Sequence, residues 1–376
     1  HLGDAGAAVG GGSVSVGDHV RERVWPRRGV AGQLGYFVLR PLSGLFGLGV
    51  GLRGLGYRLG VLRVRRATIP VVSVGNLAVG GTGKTPFTLW LARALMARGV
   101  RVGILSRGYG GSARGVTIVA RGHGPEVGPE IAGDEAVMMA KSFAGPVITA
   151  ARRIDGAAAA AALGCELIVL DDGFQHRAIA RDFDCVLVDA RRGPLLPAGP
   201  LREPLRAVRR ADAILLVERE DGETPAPIDA GVAVHRLRFE PVGLVESVAG
   251  QWHEYPLGRL ATRRVVAVTG VARPAAFYAQ LRRWEAVVDE VFEYPDHHRY
   301  TRHDWQDIAR RGHAADLVVT TEKDLVKLEA FPFATGKLVA LRIAPQVERA
   351  DELIAAILAK TGLSAHPAEE DPHGHQ

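Results

Sequence analysis

Sulfur and aromatic rings are scarce in this chain of 376 residues. Only two cysteines occur, Cys165 and Cys185, each inside an apolar run that suits a buried strand. Neither a disulfide framework nor a cysteine-based zinc site follows from them, and a reducing compartment is expected. Phe, Trp and Tyr together make up 6% of the residues. With basic residues dispersed and not interleaved with rings, a nucleic-acid binder built on base stacking is not expected. Internal repeats are lacking, and the 46 glycines and 21 prolines fall between apolar runs as punctuation, not in tracts.

What is present is enough apolar residue, 47%, to bury a substantial core, and the length favours two domains. The formal charge of +6 and a pI near 9.5 point to an acidic partner, whether nucleic acid, anionic lipid or a phosphorylated small molecule. Residues 1–33 read as a Gly/Ala-rich and then basic tail, and 361–376 as a second tail.

Between them, Pro41 to Leu52 carries no charge and is bounded by Arg40 and Arg53. As a helix it would reach roughly 18 Å, against a hydrocarbon core of about 30 Å, so this segment is not expected to span a bilayer. Leu42, Leu45, Leu48, Leu52, Leu55 and Leu59 recur at steps of three and four, with Arg53, Arg58, Arg63, Arg65 and Arg66 along and after them. That pattern suits a helix lying in a membrane interface over residues 34–66; an amphipathic helix packed on the domain satisfies it equally.

The stretch VVSVGNLAVGGTGKTP (71–86) runs from a β-branched strand through a loop of small residues into a helical pattern. Backbone N–H groups of Gly80, Gly81, Thr82 and Gly83 can wrap phosphate oxygens, Lys84 can reach the β- and γ-phosphates, and Thr85 can bind Mg²⁺. Ala78 stands where the usual first glycine of such a loop would be. A second apolar strand ends in Asp171-Asp172, the place of an acid that holds Mg²⁺ or its water. Further strands at 102–106, 147–150, 185–189 and 213–217 complete an α/β, doubly wound, mainly parallel sheet of the P-loop NTPase type over 67–225. After residue 225 the order changes, and a second, smaller α/β domain is expected over 226–360.

Seven motifs occur in order: SVGNLAVGGTGKTP, SRGYGG (106–111), GDE (133–135), LDDGFQHR (170–177), GPLREP (199–204), PDHHRY (295–300) and TTEKD (320–324). Together they resemble the tetraacyldisaccharide 4′-kinase family, from about residue 36 to 360. The resemblance implies ATP and Mg²⁺ as cofactors, and γ-phosphate transfer to the 4′-hydroxyl of an acylated disaccharide 1-phosphate in lipid A biosynthesis. It also implies a monomer, peripheral on the cytoplasmic face of a Gram-negative inner membrane. By motif, Asp134 is the catalytic carboxylate paired with His297, with Lys84 and Arg202 also catalytic. The nucleotide would be bound by Asn76, Gly80, Gly81, Thr82, Gly83, Lys84, Thr85, Tyr109, Arg153, Gln175 and His176, and the metal by Thr85, Glu135, Asp171 and Asp172.

Without the resemblance, Asp134 reads more readily as a helix N-cap than as a catalytic group, and the choice between His297 and His298 as its partner stays open. Ala136 follows GDE where the family pattern has proline. Two other readings remain: a P-loop kinase of a different glycolipid, and a membrane-associated ATPase switch that recruits partners.

Overall fold

The computed structural model describes residues 20, 24–25, 29–190, 193–218, 228, 231–271 and 274–365. The expected boundary at 225/226 lies outside them, as do most of the N-terminal tail and residues 366–376.

The elements among the described residues begin with a long helix, α1 (Gly29–Arg58), then β1 (Val71–Asn76), α2 (Lys84–Met96), β2 (Val102–Ser106) and β3 (Val116–Arg121). A single helical turn, α3 (Pro129–Ala132), leads into α4 (Asp134–Ser142), followed by β4 (Pro146–Ala150), α5 (Arg153–Ala162), β5 (Leu167–Leu170), β6 (Phe183–Val188) and β7 (Ala213–Val217). The second half holds β8 (Ala233–Val248), β9 (Gln251–Tyr255), β10 (Arg264–Thr269), α6 (Pro274–Arg283), β11 (Val287–Glu293), α7 (Arg302–Gly312), β12 (Leu317–Thr321), α8 (Glu322–Leu328), β13 (Leu338–Val347) and α9 (Ala350–Thr361).

One 13-stranded sheet runs through both halves in the order β11-β10-β12-β13-β8-β7-β6-β1-β5-β2-β4-β3, with β9 pairing β8. Its pairs are parallel except β13–β8, β3–β4 and β8–β9. This is the mainly parallel, doubly wound sheet expected from the alternation of strand and helix. The joint between the halves is β8, whose first residues pair with β7 in parallel and whose later ones pair with β13 antiparallel. A strand of 16 residues can do this because its two ends serve different neighbours.

Fully buried strands explain the apolar runs: every residue of β1, β2, β6 and β7 is buried. On α2 the buried Phe87, Leu91 and Leu95 recur at every fourth position and face the sheet. They join one core with Val72, Leu167, Cys185 and Leu215. The last helix returns to this same core through Leu353, Ile354, Ile357 and Leu358, so the chain's end packs on its first half. Cys165 and Cys185 are both buried free thiols, as their apolar settings implied.

Helix α1 is 30 residues long, more than twice the uncharged run within it, because residues 29–40 before Pro41 are helical too. By length and composition it is long enough to cross a membrane. Its narrow inner face touches the body: Ser43 Oγ donates to the Leu195 carbonyl at 2.7 Å and accepts from the Ala198 N–H at 3.0 Å. The leucines from Leu42 to Leu59 all lie exposed, between 48% and 69%. The stripe therefore faces away from the protein, which fits a membrane-interface helix whose opposite face packs on the body.

Candidate active site

Strand β1 runs into the loop that has the pattern of a phosphate cradle. Gly83 caps α2 with φ of 79°. A Cβ there would also collide with the ring of Phe239 from β8, so glycine is required twice over. Ala78, by contrast, carries no such demand: it is 4% exposed, packed with Leu77, Phe174 and Leu201, and bridged to Leu201. Its methyl group fills a core position, which is why the missing glycine leaves the loop intact. Asn76 Nδ2 donates to Thr82 Oγ1 at 2.7 Å, and Gln175 Nε2 donates to the Asn76 carbonyl at 2.7 Å. These two bonds brace the loop against the turn that follows β5.

Asp171 and Asp172 leave the end of β5 in opposite directions. Asp171 is 3% exposed and lies beside the first turns of α2, accepting from Thr88 Oγ1 at 3.0 Å and from Thr85 Oγ1 at 3.4 Å. Burial, with repulsion from Glu135 and Asp172, pushes its carboxyl up to about 7. Asp172, at φ of 51°, instead accepts from Arg202 at 2.9 Å and stands 3.6 Å from Lys84 Nζ. Burial opposes its charge, but Lys84 and Arg202 outweigh it and hold its carboxyl below the usual range. The two adjacent acids thus have different tasks: one organises the cations, the other adds charge that a cation would relieve. Thr85 Oγ1 and Asp171 Oδ2 lie 3.4 Å apart and Glu135 lines the same cleft, hard-oxygen donors of the type Mg²⁺ takes.

A cleft of about 1130 Å³ gathers these groups. Its walls include the loop from Val79 to Pro86, Tyr109, Glu135, Arg153, Asp171, Asp172, Gln175, His176 and Arg202. Arg153 is 3% exposed, with its Nε and the Gln175 Oε1 left without partners. Unsatisfied buried polar atoms of this kind suit a polar ligand. Burial and the surrounding Arg153, Arg53, Arg181 and Arg107 push His176 down to about 4, so its ring is neutral at pH 7. Arg53 belongs to α1 and donates to the Gln175 carbonyl at 2.6 Å, so the outer helix reaches the cleft's rim.

From the second half of the chain, the loop between β11 and α7 brings in Asp296 and His297. Asp134 opens α4 after Gly133, whose φ of 88° lets the chain turn beneath Tyr109. His297 Nδ1 lies 3.2 Å from Asp134 Oδ2, while Asp134 Oδ1 accepts from the Glu135 N–H at 2.9 Å. His298 points elsewhere, to Asp304 at 3.1 Å and against the Tyr294 ring. The choice left open between adjacent histidines is thereby settled as a matter of contact: His297 is the one at Asp134. Asp134 is not an N-cap; it is the first helical residue, and no side chain caps α4.

Burial works against ionised Asp134, yet the hydrogen bond from His297 and the nearby Lys323 and Lys327 prevail, holding its carboxyl below the usual range. The bond to Asp134 correspondingly raises His297, against burial and Lys323. Lys323 and Lys327, four residues apart on α8, present two ammonium groups on one helix face. Neither was singled out as a site residue in the sequence, although TTEKD holds the first and the i,i+4 spacing finds the second. Thr88, one turn beyond Thr85, was missed in the same way.

Compared with known proteins, residues 36–362 match the tetraacyldisaccharide-1-P 4′-kinase family. A tetraacyldisaccharide 4′-kinase from Anaeromyxobacter sp. (strain Fw109-5) is 40% identical over 361 residues, covering 90% of this chain and 95% of that protein. The protein of the same name from Geobacter sulfurreducens is 41% identical over 315 residues, covering 80% of this chain and 87% of its own. Among solved structures, LpxK from Aquifex aeolicus in complex with ATP matches with a TM-score of 0.75 and 34% identity, over 87% of this chain and 99% of that one.

Proposed function

The chain belongs to the tetraacyldisaccharide 4′-kinase family, and from that premise we propose a residue-level account of how it transfers phosphate. It is an ATP-dependent kinase of lipid A biosynthesis, passing the γ-phosphoryl group to the 4′-hydroxyl of an acylated disaccharide 1-phosphate. The observation that carries the account is the Asp134–His297 contact at 3.2 Å, with His297 lining the same cleft as the phosphate loop.

Asp134, ionised at neutral pH, takes the hydroxyl proton as the oxygen attacks phosphorus, and His297 orients it. Backbone N–H groups of Gly80 to Gly83 and the α2 N-terminus cradle the triphosphate. Lys84 and Arg202 are kept in place by Asp172 and meet the charge that spreads over the γ-phosphoryl oxygens. Asn76 and Gln175 brace the loop, while Tyr109, Arg153 and His176 bound the space around it. Thr85, Asp171 and Glu135 would hold Mg²⁺, which would supply neutralisation of the charge that develops on the phosphates. The stretch 67–225 serves as the nucleotide-holding body, and 226–360 brings His297 to it.

The exposed stripe of α1 is taken to lie in the cytoplasmic leaflet of the inner membrane, with the basic residues after it drawn to anionic lipid at about 1 kcal/mol each. The protein then meets its acylated substrate as a peripheral monomer. Purified protein given Mg-ATP should release ADP in proportion to added disaccharide 1-phosphate. ADP release that ignores the acceptor would instead indicate an ATPase switch.

A further inference from the structure

We propose that Lys323 is a positioning residue for the Asp134–His297 pair, fixing which ring nitrogen of His297 carries the proton. The inference rests on reading that pair as the catalytic one. An ammonium group has three N–H donors and no acceptor. Lys323 Nζ has three partners within reach: Asp296 Oδ1 at 3.0 Å, His297 Nε2 at 3.0 Å and Glu135 Oε1 at 3.3 Å. The first two are hydrogen bonds and the third an ion pair.

Because Lys323 can only donate, Nε2 of His297 must accept. The ring proton then sits on Nδ1, where it is donated to Asp134 Oδ2. A neutral imidazole has one donor and one acceptor, and here the two are assigned by neighbours on opposite sides. One group around the ring favours a proton on Nε2, the Asp296 carboxylate at 3.9 Å, and the Lys323 ammonium, 3.0 Å from both atoms, is nearer to each than they are to one another. Asp134 and Glu135 come from α4, Lys323 and Lys327 from α8, and Asp296 and His298 from the ring's own loop; the Tyr109 ring meets His297 edge-on at 5.1 Å. Lys327 lies 3.7 Å from Asp134 Oδ2 and donates to the His298 carbonyl at 3.1 Å, so it steadies the carboxylate and the loop but does not touch the His297 ring nitrogens.

Lys323 also restrains the backbone that carries the ring. His297 sits at φ of 63°, in the left-handed region that non-glycine residues avoid. Its neighbour Asp296 is tied to the same ammonium, which anchors the loop at the strained residue. With the ammonium removed, the ring is held on the Asp134 side alone and is free to turn over; once Nδ1 leaves Asp134, neither tautomer is assigned and the hydrogen bond to Asp134 is lost.

The test uses full-length protein carrying K323M, K323Q and K323R, with each change repeated in an H297A background. In K323M, kcat for acceptor phosphorylation should fall about 10- to 100-fold while KM for Mg-ATP stays within about twofold, the pattern of a misplaced catalytic group. K323Q, whose amide can still donate to Nε2, should keep more activity than K323M. In the H297A background K323M should cost less than about twofold, because its route to the reaction is gone. Independently of turnover, ¹⁵N shifts of labelled histidine, assigned by difference with H297A, should show His297 as the Nδ1–H tautomer in wild type and a mixture in K323M. If K323M does not fold, K323Q and K323R carry the comparison. An unchanged tautomer in the Lys323 variants, or losses that simply add in the double variants, would overturn the proposal. A wild type that phosphorylates nothing while its histidine tautomer shifts as described would overturn the functional reading and leave the contact standing.

Discussion

Replacing Leu45, Leu48 and Leu52 together by serine should release the protein from membranes without unfolding it. These three side chains are 65%, 60% and 60% exposed and stand on the outer face of α1. Fully burying a leucine is worth about 1.5–3 kcal/mol, so the exposed three-fifths of each contributes about 1–2 kcal/mol if it enters lipid. The triple change then removes roughly 3–5 kcal/mol of interfacial binding, or about two to three and a half orders of magnitude in partitioning. Serine costs the helix only a few tenths of a kcal/mol per site in propensity, so thermal stability should move little. Co-sedimentation with vesicles of mixed zwitterionic and anionic phospholipid reads the first quantity, and a melting curve the second. Unchanged sedimentation would refute the reasoning; so would a large drop in melting temperature, which would mean the stripe packs against protein.

Four further outcomes follow from the geometry. Asp134→Asn keeps the shape of the pair but removes the charge, and should lower kcat by about 10² to 10⁴ with nucleotide binding retained, measured by calorimetry alongside turnover. Leu91→Ala, at a fully buried position on α2, should cost about 2–5 kcal/mol in urea unfolding. His176 is held near 4 in the fold against 6.5 when free, so the unfolded chain binds its proton first as pH falls. Stability from this group is present above pH 6.5 and lost on descending toward 4, and urea midpoints of His176→Gln should fall less steeply over that interval. Chelating divalent metal should stop turnover, and added Mg²⁺ should restore it; activity that persists in chelator would remove Thr85, Asp171 and Glu135 from the metal role.

Much of the fold could be read from local pattern. The strand before the phosphate loop, the acidic strand end at Asp171 and the leucine stripe are each signalled within twenty residues, but the side the stripe faces is not. Long-range features were less legible. His297 meets Asp134 across 163 positions, and nothing in the periodicity of either segment says that α8 will place Lys323 on the other side of the ring. The joint formed by β8 is hidden for a similar reason: a strand reads alike whether or not its neighbours change along its length. Asp171 and Asp172 look equivalent in sequence, and only the φ of 51° at Asp172 sends one carboxylate toward Lys84 and the other toward Thr88.

The most direct test is the position of the new phosphate. Purified protein, Mg-ATP and the acylated disaccharide 1-phosphate should yield one product carrying a second phosphate, placed on the 4′-oxygen by tandem mass spectrometry and ³¹P–¹H correlation. Phosphate on another hydroxyl, or an acceptor recovered unmodified while ATP is consumed, would contradict the account.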